Sequence, residues 1–330
     1  MPLEPARMKS SPTGRPRVVI TDTVFASTEP EQAVLGDLAD LELAPAGDEQ
    51  TLRQVAAEAD ALLNCYARLS PELLRSLRRC RVIARYGIGV DTVPLDVASE
   101  VGIMVTNVPD YCIDEVSDHA LALLLNLARG IGRATLSTRA GAWDIGVVQP
   151  LYRLRGRTLA ILGFGRIGRA LAAKARPLGL RLIAVDAYVP AEQVRAEGVE
   201  PVDLRSALEQ ADLVSVHVPL TDETRHLIDA ERLSWMKPTA VLVNTSRGGV
   251  VDTAALTDAL RAGRLAGAGL DVLEPEPPPA DLALRQMPNV LLTPHIAFYS
   301  EEAQRELQRR AAEEVARVLR GEQPRSLVNP

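Results

Sequence analysis

The stretch that decides the fold reads Leu159-Ala-Ile-Leu-Gly-Phe-Gly-Arg-Ile-Gly168. Its apolar part predicts a strand, and its end carries the pattern Gly-x-Gly-x-x-Gly. The segment from Arg169 to Leu178 predicts a helix, and the apolar run from Leu180 to Val185 predicts a second strand that stops at Asp186. This order of strand, glycine turn, helix, strand and acidic residue is typical of a dinucleotide-binding unit.

The residue types in the turn each have a physical role. Gly163 permits the tight turn out of the strand, Gly165 lets a pyrophosphate approach the backbone, and Gly168 lets the helix pack closely on the sheet. Arg166 and Ile167 lie between the second and third glycines, just before the predicted helix, whose free N-terminal N–H groups attract phosphate. We therefore predict that these five residues bind a dinucleotide.

Asp186 indicates which dinucleotide is bound. It lies 23 residues after Gly163, close to the roughly 20-residue spacing of an acid that binds the ribose 2′-hydroxyl. Its charge would repel a 2′-phosphate, and the following residues, Ala187-Tyr-Val189, offer no cation to hold one. The sequence therefore predicts NAD rather than NADP.

The composition excludes several other classes of protein. A chain of 330 residues with 47% hydrophobic and 24% charged residues predicts about two globular domains. A net charge of −6 and an aromatic content of 3% argue against nucleic-acid binding. The longest apolar stretch, Ala120 to Ala128, is too short to span a membrane. Cys65, Cys80 and Cys112 lack the spacing of a metal site or a disulfide framework, which predicts a cytoplasmic protein without a metal.

Two sets of alternating strands and helices predict parallel sheets covered on both faces. The first set begins at Arg17, and the second begins at Thr158 with the glycine turn. A charged amphipathic helix from about Ser300 to Leu319 ends the pattern. If that helix returned to the first set, the cofactor domain would be inserted into the other domain.

Three chemically active side chains follow apolar strands of the second set: Arg247, Glu276 and His295. Because ligands of open α/β sheets bind at the carboxyl ends of the strands, we expect these side chains to share one site. Histidine can move a proton near neutral pH, and a neighbouring carboxylate fixes its tautomer and favours imidazolium. Arginine can hold a carboxylate with two hydrogen bonds. This combination suits hydride transfer at a hydroxyl beside a carboxylate.

Taken together, the motifs resemble the D-isomer-specific 2-hydroxyacid dehydrogenase family from about residue 17 onwards. The matching segments are Arg85-Tyr-Gly-Ile-Gly-Val-Asp91, the glycine turn with Asp186, His217-Val-Pro-Leu-Thr-Asp-Glu-Thr224, Met236-Lys-Pro238, Asn244-Thr-Ser-Arg-Gly248, Asp271 to Pro277 and Thr293-Pro-His295.

The resemblance implies a role for each catalytic candidate. Arg247 would bind the substrate carboxylate and carbonyl, and His295 would be the acid/base. Glu276, rather than Glu274, falls at the position of the carboxylate partner of that histidine.

The resemblance also implies the binding residues. Val218, Pro219 and Thr224 would surround the adenosine, and His217 would line the same site. Thr245, Ser246 and Asp271 would lie on the nicotinamide side. The backbone N–H groups of Ile88 and Gly89 would hold the substrate carboxylate from the other domain.

Two further segments, Asn107 to His119 and His295 to Glu301, resemble the C-terminal binding protein branch of the family, which is related to the phosphoglycerate dehydrogenases. In that branch an arginine at the position of Arg85 also meets the substrate carboxylate. Phe298 stands where the branch carries tryptophan, so the substrate side-chain pocket is expected to differ. His119 lies on an apolar helix, and we expect it to be a core histidine.

The fold implied is two Rossmann-like, doubly wound parallel-sheet domains, with the NAD domain inserted into a flavodoxin-like substrate domain. The boundaries expected are a disordered tail over residues 1–16, a substrate domain over 17–110 and 299–330, and an NAD domain over 111–298. The resemblance implies a homodimer acting on a small 2-hydroxy or 2-oxo acid, with no nucleic-acid or membrane partner. Two alternatives stay open: an NAD(H)-sensing binding protein of the C-terminal binding protein type, and a phosphite-type dehydrogenase.

Overall fold

The structure, a computed structural model, describes residues 14–329. The chain divides into two compact units. Unit 1 takes the described residues up to Tyr111 together with those from Ser300 onwards, and unit 2 is the continuous segment Cys112–Tyr299. The observed boundaries differ by one residue from the expected ones, which were 110/111 and 298/299.

The expected disordered tail over residues 1–16 is wrong at its end, and its first 13 residues lie outside the described part of the chain. The Arg15 guanidinium donates hydrogen bonds to the carbonyls of Gly36 and Ala39, the latter at 3.1 Å, and lies 3.6 Å from the Asp40 carboxylate. These contacts fix Arg15 against unit 1. The polar composition of the segment gave no sign of them.

Unit 1 contains a sheet of five parallel strands in the order β2-β1-β3-β4-β5. The strands are β1 (Arg17–Ile20), β2 (Asp40–Leu43), β3 (Ala61–Asn64), β4 (Val82–Arg85) and β5 (Met104–Thr106). The helices are α1 (Glu29–Leu35), α2 (Glu49–Ala56), α3 (Pro71–Ser76), α4 (Leu95–Glu100) and α12 (Glu301–Leu319), the last helix of the chain. This strand order is that of flavodoxin-like folds.

Hydrophobic clusters cover both faces of this sheet. Val18 and Ile20 of β1 belong to one cluster and Val19 to another, because successive side chains of a strand point to opposite faces. Leu307 and Val315 of α12 pack in the same cluster as Val18. The final helix therefore returns to the first set of strands.

Unit 2 contains a sheet of seven parallel strands in the order β12-β11-β10-β9-β6-β7-β8. The strands are β6 (Thr158–Leu162), β7 (Arg181–Val185), β8 (Glu200–Pro201), β9 (Leu213–Val216), β10 (Val241–Asn244), β11 (Gly267–Leu270) and β12 (Val290–Leu292). The helices are α5 (Ile113–Arg129), α6 (Ile131–Arg139), α7 (Arg166–Ala175), α8 (Ala191–Ala196), α9 (Leu204–Gln210), α10 (Ala230–Trp235) and α11 (Thr253–Arg261).

The strand order of unit 2 reverses between β6 and β9, which are neighbours in the sheet. Ligands of doubly wound sheets bind at such a reversal, outside the carboxyl ends of the strands. The predicted fold class, two Rossmann-like parallel-sheet domains, is confirmed. Within the described residues, no helix is both long and apolar enough to cross a membrane.

Candidate active site

The glycine turn between β6 and α7 has the geometry that its sequence predicts. A side-chain carbon on Gly163 would lie 2.7 Å from the His217 carbonyl carbon, and one on Gly168 would lie 2.2 Å from the Gly163 carbonyl oxygen. At Gly165, by contrast, such a carbon would meet no described atom within 4 Å. The first and third glycines therefore permit close packing, and the second leaves the backbone open to a ligand.

Helix α7 begins at this open position. Gly165 is its N-cap, and within the described residues no side chain caps the first turn, which contains Arg166 and Ile167. The first N–H groups of a helix carry a partial positive charge that attracts phosphate. The sequence predicts a helix that begins at Arg169, whereas α7 begins at Arg166. The prediction therefore omits the first turn of the helix, which is the turn that would face a phosphate.

Asp186 follows β7 and closes one side of the glycine turn. Its Oδ2 accepts a hydrogen bond from the Phe164 N–H at 2.7 Å, and its Oδ1 accepts from the N–H groups of Tyr188 and Val189 at 2.8 and 2.9 Å. A carboxylate oxygen has two lone-pair sites, so Oδ2, which accepts one hydrogen bond here, can accept another. Asp186 is therefore held firmly and can still bind a ribose hydroxyl.

Glu276 and His295 form a direct pair. The Nδ1 of His295 lies 2.7 Å from Oε2 of Glu276, while Oε1 of Glu276 accepts from the Leu273 N–H at 2.8 Å. Burial raises the pKa of Glu276, but the hydrogen bond and charge of His295, the Leu273 N–H and the Arg247 charge outweigh it and hold that pKa below its ordinary value. Glu276 is therefore a carboxylate at neutral pH, and Nε2 of His295 can exchange a proton with a substrate.

The backbone of His295 adopts a left-handed conformation, with φ of 55°. Residues other than glycine rarely hold this conformation unless their surroundings enforce it. Here the Asp271 carboxylate accepts from the N–H groups of Ile296 at 2.9 Å and Ala297 at 2.8 Å, and the Asp271 carbonyl accepts from the His295 N–H at 2.8 Å. Asp271 thus anchors the turn that presents His295, a role that the sequence analysis missed.

His119 was expected to be a core histidine, and this prediction is wrong. Its side chain is 20% exposed, and its Nε2 lies 2.9 Å from Oγ1 of Thr293 and 3.7 Å from Oδ1 of Asp271. Thr293 Oγ1 in turn donates to Asp271 at 2.6 Å. The apolar pattern of α5 could not show that His119 meets a polar strand end.

The last residue of β10, Asn244, shapes the loop that follows the strand. The buried Asn244 side chain donates to the Arg247 carbonyl at 2.9 Å and accepts from the Ser246 N–H and Oγ at 3.0 and 2.9 Å. A side-chain carbon on Gly248 would lie 2.0 Å from the Leu273 carbonyl carbon, so only glycine lets this loop approach the next one so closely. Arg247 is thereby held near enough to Glu276 for its charge to lower the pKa of that carboxyl.

Other predicted cofactor residues follow β9 and β10. The His217 ring lies 2.8 Å from Ser215 Oγ, and desolvation lowers the pKa of His217 to about 4, so the ring is neutral at pH 7. After Val218 the chain turns, and Thr224 Oγ1 closes the turn by donating to the Pro219 carbonyl at 2.6 Å. The structure places His217 and Val218 against the glycine turn, since a side-chain carbon on Gly163 would lie 2.7 Å from the His217 carbonyl carbon and 2.8 Å from the Val218 nitrogen.

The predicted substrate residues of unit 1, Arg85, Ile88 and Gly89, lie at the carboxyl end of β4. Arg85 ends β4, is 7% exposed and has its guanidinium carbon 5.9 Å from the centre of the Tyr66 ring. The Ile88 carbonyl, next to Gly89, accepts from the Asn107 side chain at 2.7 Å. Asn107 thus holds the loop after β4, which the sequence analysis did not predict.

Comparison with known proteins gives a consistent answer. A family model described as D-isomer specific 2-hydroxyacid dehydrogenase, NAD binding domain, matches residues 121–297. A glyoxylate reductase of Thermococcus litoralis is 41% identical over 285 residues, which cover 84% of this chain and 86% of the relative.

The chain belongs to the D-isomer specific 2-hydroxyacid dehydrogenase family. Other relatives agree. A D-3-phosphoglycerate dehydrogenase of Methanocaldococcus jannaschii is 36% identical over 95% of this chain, which spans 59% of the length of that relative. A crystal structure of D-lactate dehydrogenase from Aquifex aeolicus with NAD and lactic acid is 29% identical and has a TM-score of 0.83, and the match covers 92% of this chain and 96% of that one. The predicted family, enzyme class and NAD cofactor are confirmed.

The site of this dehydrogenase fits NAD on its own geometry. Thr245 is 8% exposed, and its Oγ1 has no hydrogen-bond partner among the described residues. A buried hydroxyl without a partner costs about 1–3 kcal/mol, which a polar ligand group would relieve. With the open backbone at Gly165 and the fixed carboxylate of Asp186, the residues suit both ends of a dinucleotide.

Phe298 lies beside the pair formed by Glu276 and His295. Its ring centre is 6.3 Å from that of His295, with the rings at 78° to each other. In the described part of the chain, no three His, Cys, Asp or Glu side chains are grouped to hold a metal ion.

Proposed function

We propose that the protein interconverts a small D-2-hydroxy acid and its 2-oxo acid with NAD as the hydride carrier. The observation that supports this most is the 2.7 Å contact between His295 Nδ1 and Glu276 Oε2, beside a loop that presents Arg247. Because Nδ1 is on Glu276, the histidine would transfer its proton at Nε2, and the contact supplies a carboxylate for the imidazolium that reduction requires.

In the direction of reduction, bound NADH supplies a hydride to the 2-oxo carbon. The imidazolium of His295 donates its proton from Nε2 to the oxygen that becomes the hydroxyl. Arg247 holds the substrate carboxylate and stabilises the charge that develops on the carbonyl oxygen. Glu276 stabilises the imidazolium before transfer and keeps the ring in the correct tautomer afterwards.

We propose further contacts from both units. Arg85 and the N–H groups of Ile88 and Gly89 bind the substrate carboxylate, and Phe298 borders the substrate side chain. The NAD contacts are made by Gly163, Gly165, Arg166, Ile167, Gly168, Asp186, His217, Val218, Pro219, Thr224, Thr245, Ser246 and Asp271.

A panel of substrates tests this function. The purified protein is mixed with NADH or NADPH and with glyoxylate, hydroxypyruvate, pyruvate, phosphohydroxypyruvate or branched 2-oxo acids, and cofactor oxidation is followed. We expect turnover of at least one acid, with NADH preferred because Asp186 repels a 2′-phosphate. Tight NADH binding without turnover of any acid would instead support an NAD(H)-sensing binding protein.

We also propose a homodimer formed through unit 2. Five apolar side chains of α6 and of the segment that leads from it to β6 are exposed: Ile131 at 52%, Leu136 at 61%, Trp143 at 93%, Ile145 at 73% and Tyr152 at 43%. Apolar surface concentrated on one segment is typical of a protein interface, and a second copy of the chain is the partner that the family resemblance implies. Light scattering should give twice the 35.6 kDa chain mass, and Leu136→Glu should give monomers; a wild-type monomer would refute the proposal.

We place the protein in the cytoplasm. All three cysteines, Cys65, Cys80 and Cys112, are buried free thiols. Free thiols persist in a reducing compartment. Fractionation of the native cells with immunodetection tests this location.

A further inference from the structure

The loop after β11 carries two glutamates, and the structure gives them different partners. Glu276 contacts His295, whereas Glu274 contacts the segment that follows β9. Oε1 of Glu274 accepts a hydrogen bond from Nη1 of Arg225 at 2.8 Å, and Oε2 lies 3.2 Å from Nε2 of His226. The proposed reaction has no step that uses Glu274, Arg225 or His226.

The segment with Arg225 and His226 directly continues the turn proposed to contact the adenosine. The Arg225 N–H donates to the Thr221 carbonyl at 2.9 Å, inside the turn that Thr224 closes on Pro219. A side chain that holds Arg225 in place therefore also fixes the end of this cofactor turn.

Glu274 also packs on the loop that carries Arg247. A side-chain carbon on Gly249 would lie 3.1 Å from Oε1 of Glu274, and the Gly249 carbonyl accepts from the His226 N–H at 2.8 Å. The Glu274 carboxylate therefore lies where the loops after β9, β10 and β11 meet. These loops carry, in that order, the cofactor turn, Arg247 and Glu276.

The electrostatics of this junction favour a fixed geometry. The hydrogen bond from Arg225 lowers the pKa of Glu274; burial opposes this effect and the hydrogen bond of His226 adds to it, so the pKa lies below its ordinary value and Glu274 is ionised at neutral pH. His226 holds a left-handed backbone with φ of 50°, which a histidine keeps only under constraint. The side chains of Arg225 and Glu274 are 50% and 40% exposed, so their ion pair adds little to stability. The contact is better suited to fixing loops in position.

We propose that Glu274 is a positioning residue that joins the cofactor turn to the loop carrying Glu276, so that NADH binding and the carboxylate partner of His295 are set together. This inference rests on the proposed function, because its consequence for turnover requires that Glu276 support His295 in the reaction. The expected effect on NADH binding does not depend on the proposed function.

The test uses Glu274→Gln in the full chain, with Glu200→Gln as the matched control. Glu200 forms an ion pair of 2.7 Å with Arg181 between β7 and β8, and these side chains are 53% and 45% exposed. NADH affinity is measured by fluorescence titration, and kcat and KM by cofactor oxidation. We expect Glu274→Gln to lower kcat roughly tenfold, as displaced supporting contacts do, and to raise the Kd for NADH at least about threefold, while Glu200→Gln changes neither.

A double-mutant cycle separates positioning from a general structural role. If Glu274 acts through Glu276, adding Glu274→Gln to a Glu276→Gln protein should lower kcat by less than about twofold. An equal loss in both backgrounds would overturn the proposal, as would kcat and NADH Kd values close to wild type. Arg225→Gln removes the same contact and replaces Glu274→Gln if that variant does not fold.

A result that refutes the proposed function would still leave this inference testable. If the wild-type protein binds NADH and reduces no 2-oxo acid, the function is refuted. The NADH Kd of Glu274→Gln relative to Glu200→Gln then decides the inference alone: a clear increase supports it, and equal values refute it.

Discussion

At the scale of single residues, the contact with His295 helps to keep Glu276 ionised. The pKa of Glu276 lies below its ordinary value despite burial, so this group is ionised throughout the neutral range. We expect Glu276→Gln to shift the pH profile of 2-oxo acid reduction toward acid, because an imidazolium without its carboxylate partner loses its proton at lower pH. Initial rates between pH 5 and about pH 9 measure the shift. The Glu200→Gln control should keep the wild-type profile, and an unmoved profile in Glu276→Gln would contradict the pairing.

Arg247 should contribute mainly to the transition state. It lies on a loop whose backbone is held by a hydrogen bond from the Asn244 side chain to the Arg247 carbonyl. We expect Arg247→Ala to lower kcat by roughly 10²–10³, which is the usual cost of removing one donor that stabilises developing negative charge. Arg261 offers a control, because its side chain is 60% exposed on α11 and forms only a loose contact with Asp258 at 3.9 Å. Turnover of Arg247→Ala within about twofold of Arg261→Ala would contradict the assignment.

Thr245 gives a prediction with opposite signs for stability and binding. Its buried Oγ1 lacks a hydrogen-bond partner among the described residues. Replacing it by the similarly shaped valine should leave the unliganded protein as stable or slightly more stable, since no hydrogen bond is lost. The same change should weaken NADH binding roughly tenfold, which corresponds to about 1.4 kcal/mol. Thermal melts without cofactor and NADH titrations test both signs, and unchanged NADH affinity would show that Thr245 does not contact the cofactor.

The residues that carry the chemistry could be predicted, whereas those that position them could not. Arg247, Glu276 and His295 are charged groups that follow strands, and a sequence shows this directly. The anchoring of Ile296 and Ala297 by Asp271 joins residues 25 and 26 positions apart, and the partly exposed His119 meets Thr293 from 174 positions away. Such contacts depend on which strand ends become neighbours in the sheet.

At the scale of elements, buried strands were predicted well and exposed elements were not. The strands β6 and β9 are buried along their whole length and appear as apolar runs in the sequence. In contrast, β2 is a half-exposed edge strand and β8 has only two residues, so neither forms an apolar run. Helix α6 has no fully buried residue and therefore no pattern that marks a core-facing side. A local sequence pattern reveals an element mainly through its buried apolar side chains, and β2, β8 and α6 have few or none.

Asp212 joins three elements of unit 2 and should make stability depend on pH. Its carboxylate accepts from the Thr158 N–H at 2.9 Å, Arg157 at 2.7 Å and Lys237 at 3.1 Å. Burial raises the pKa of Asp212, but these donors outweigh it and lower that pKa. A lowered folded-state pKa stabilises the fold above the unfolded-state value, and this stabilisation is lost as pH falls through the folded value. We expect Asp212→Asn to cost about 1–3 kcal/mol at pH 7.

Urea unfolding at several pH values checks this prediction. The difference between wild type and Asp212→Asn should be the same at pH 7 and about pH 5.5, and it should shrink only below the ordinary value of 3.8. A difference that disappears already near neutral pH would contradict the assignment to this carboxylate.

At the scale of the whole molecule, the insertion of one unit into the other makes the two units unequal. Unit 2 is one continuous segment, Cys112–Tyr299, with its own seven-stranded sheet and its own hydrophobic clusters. Unit 1 needs both ends of the chain, because α12 supplies Leu307 and Val315 to the core around β1. The sequence predicted two alternating sets, but only the packing of α12 decides how the chain returns.

Residues 112–299 expressed alone should therefore fold and bind NADH within roughly tenfold of the full-length affinity, since a domain with its own core can fold independently. They should not turn over any 2-oxo acid, because Arg85, Ile88 and Gly89 belong to unit 1. Circular dichroism, NADH titration and the substrate panel on this fragment test the three parts. A folded fragment that binds no NADH would show that unit 1 contributes to the cofactor site, and a fragment that turns over substrate would show that unit 1 is dispensable for catalysis.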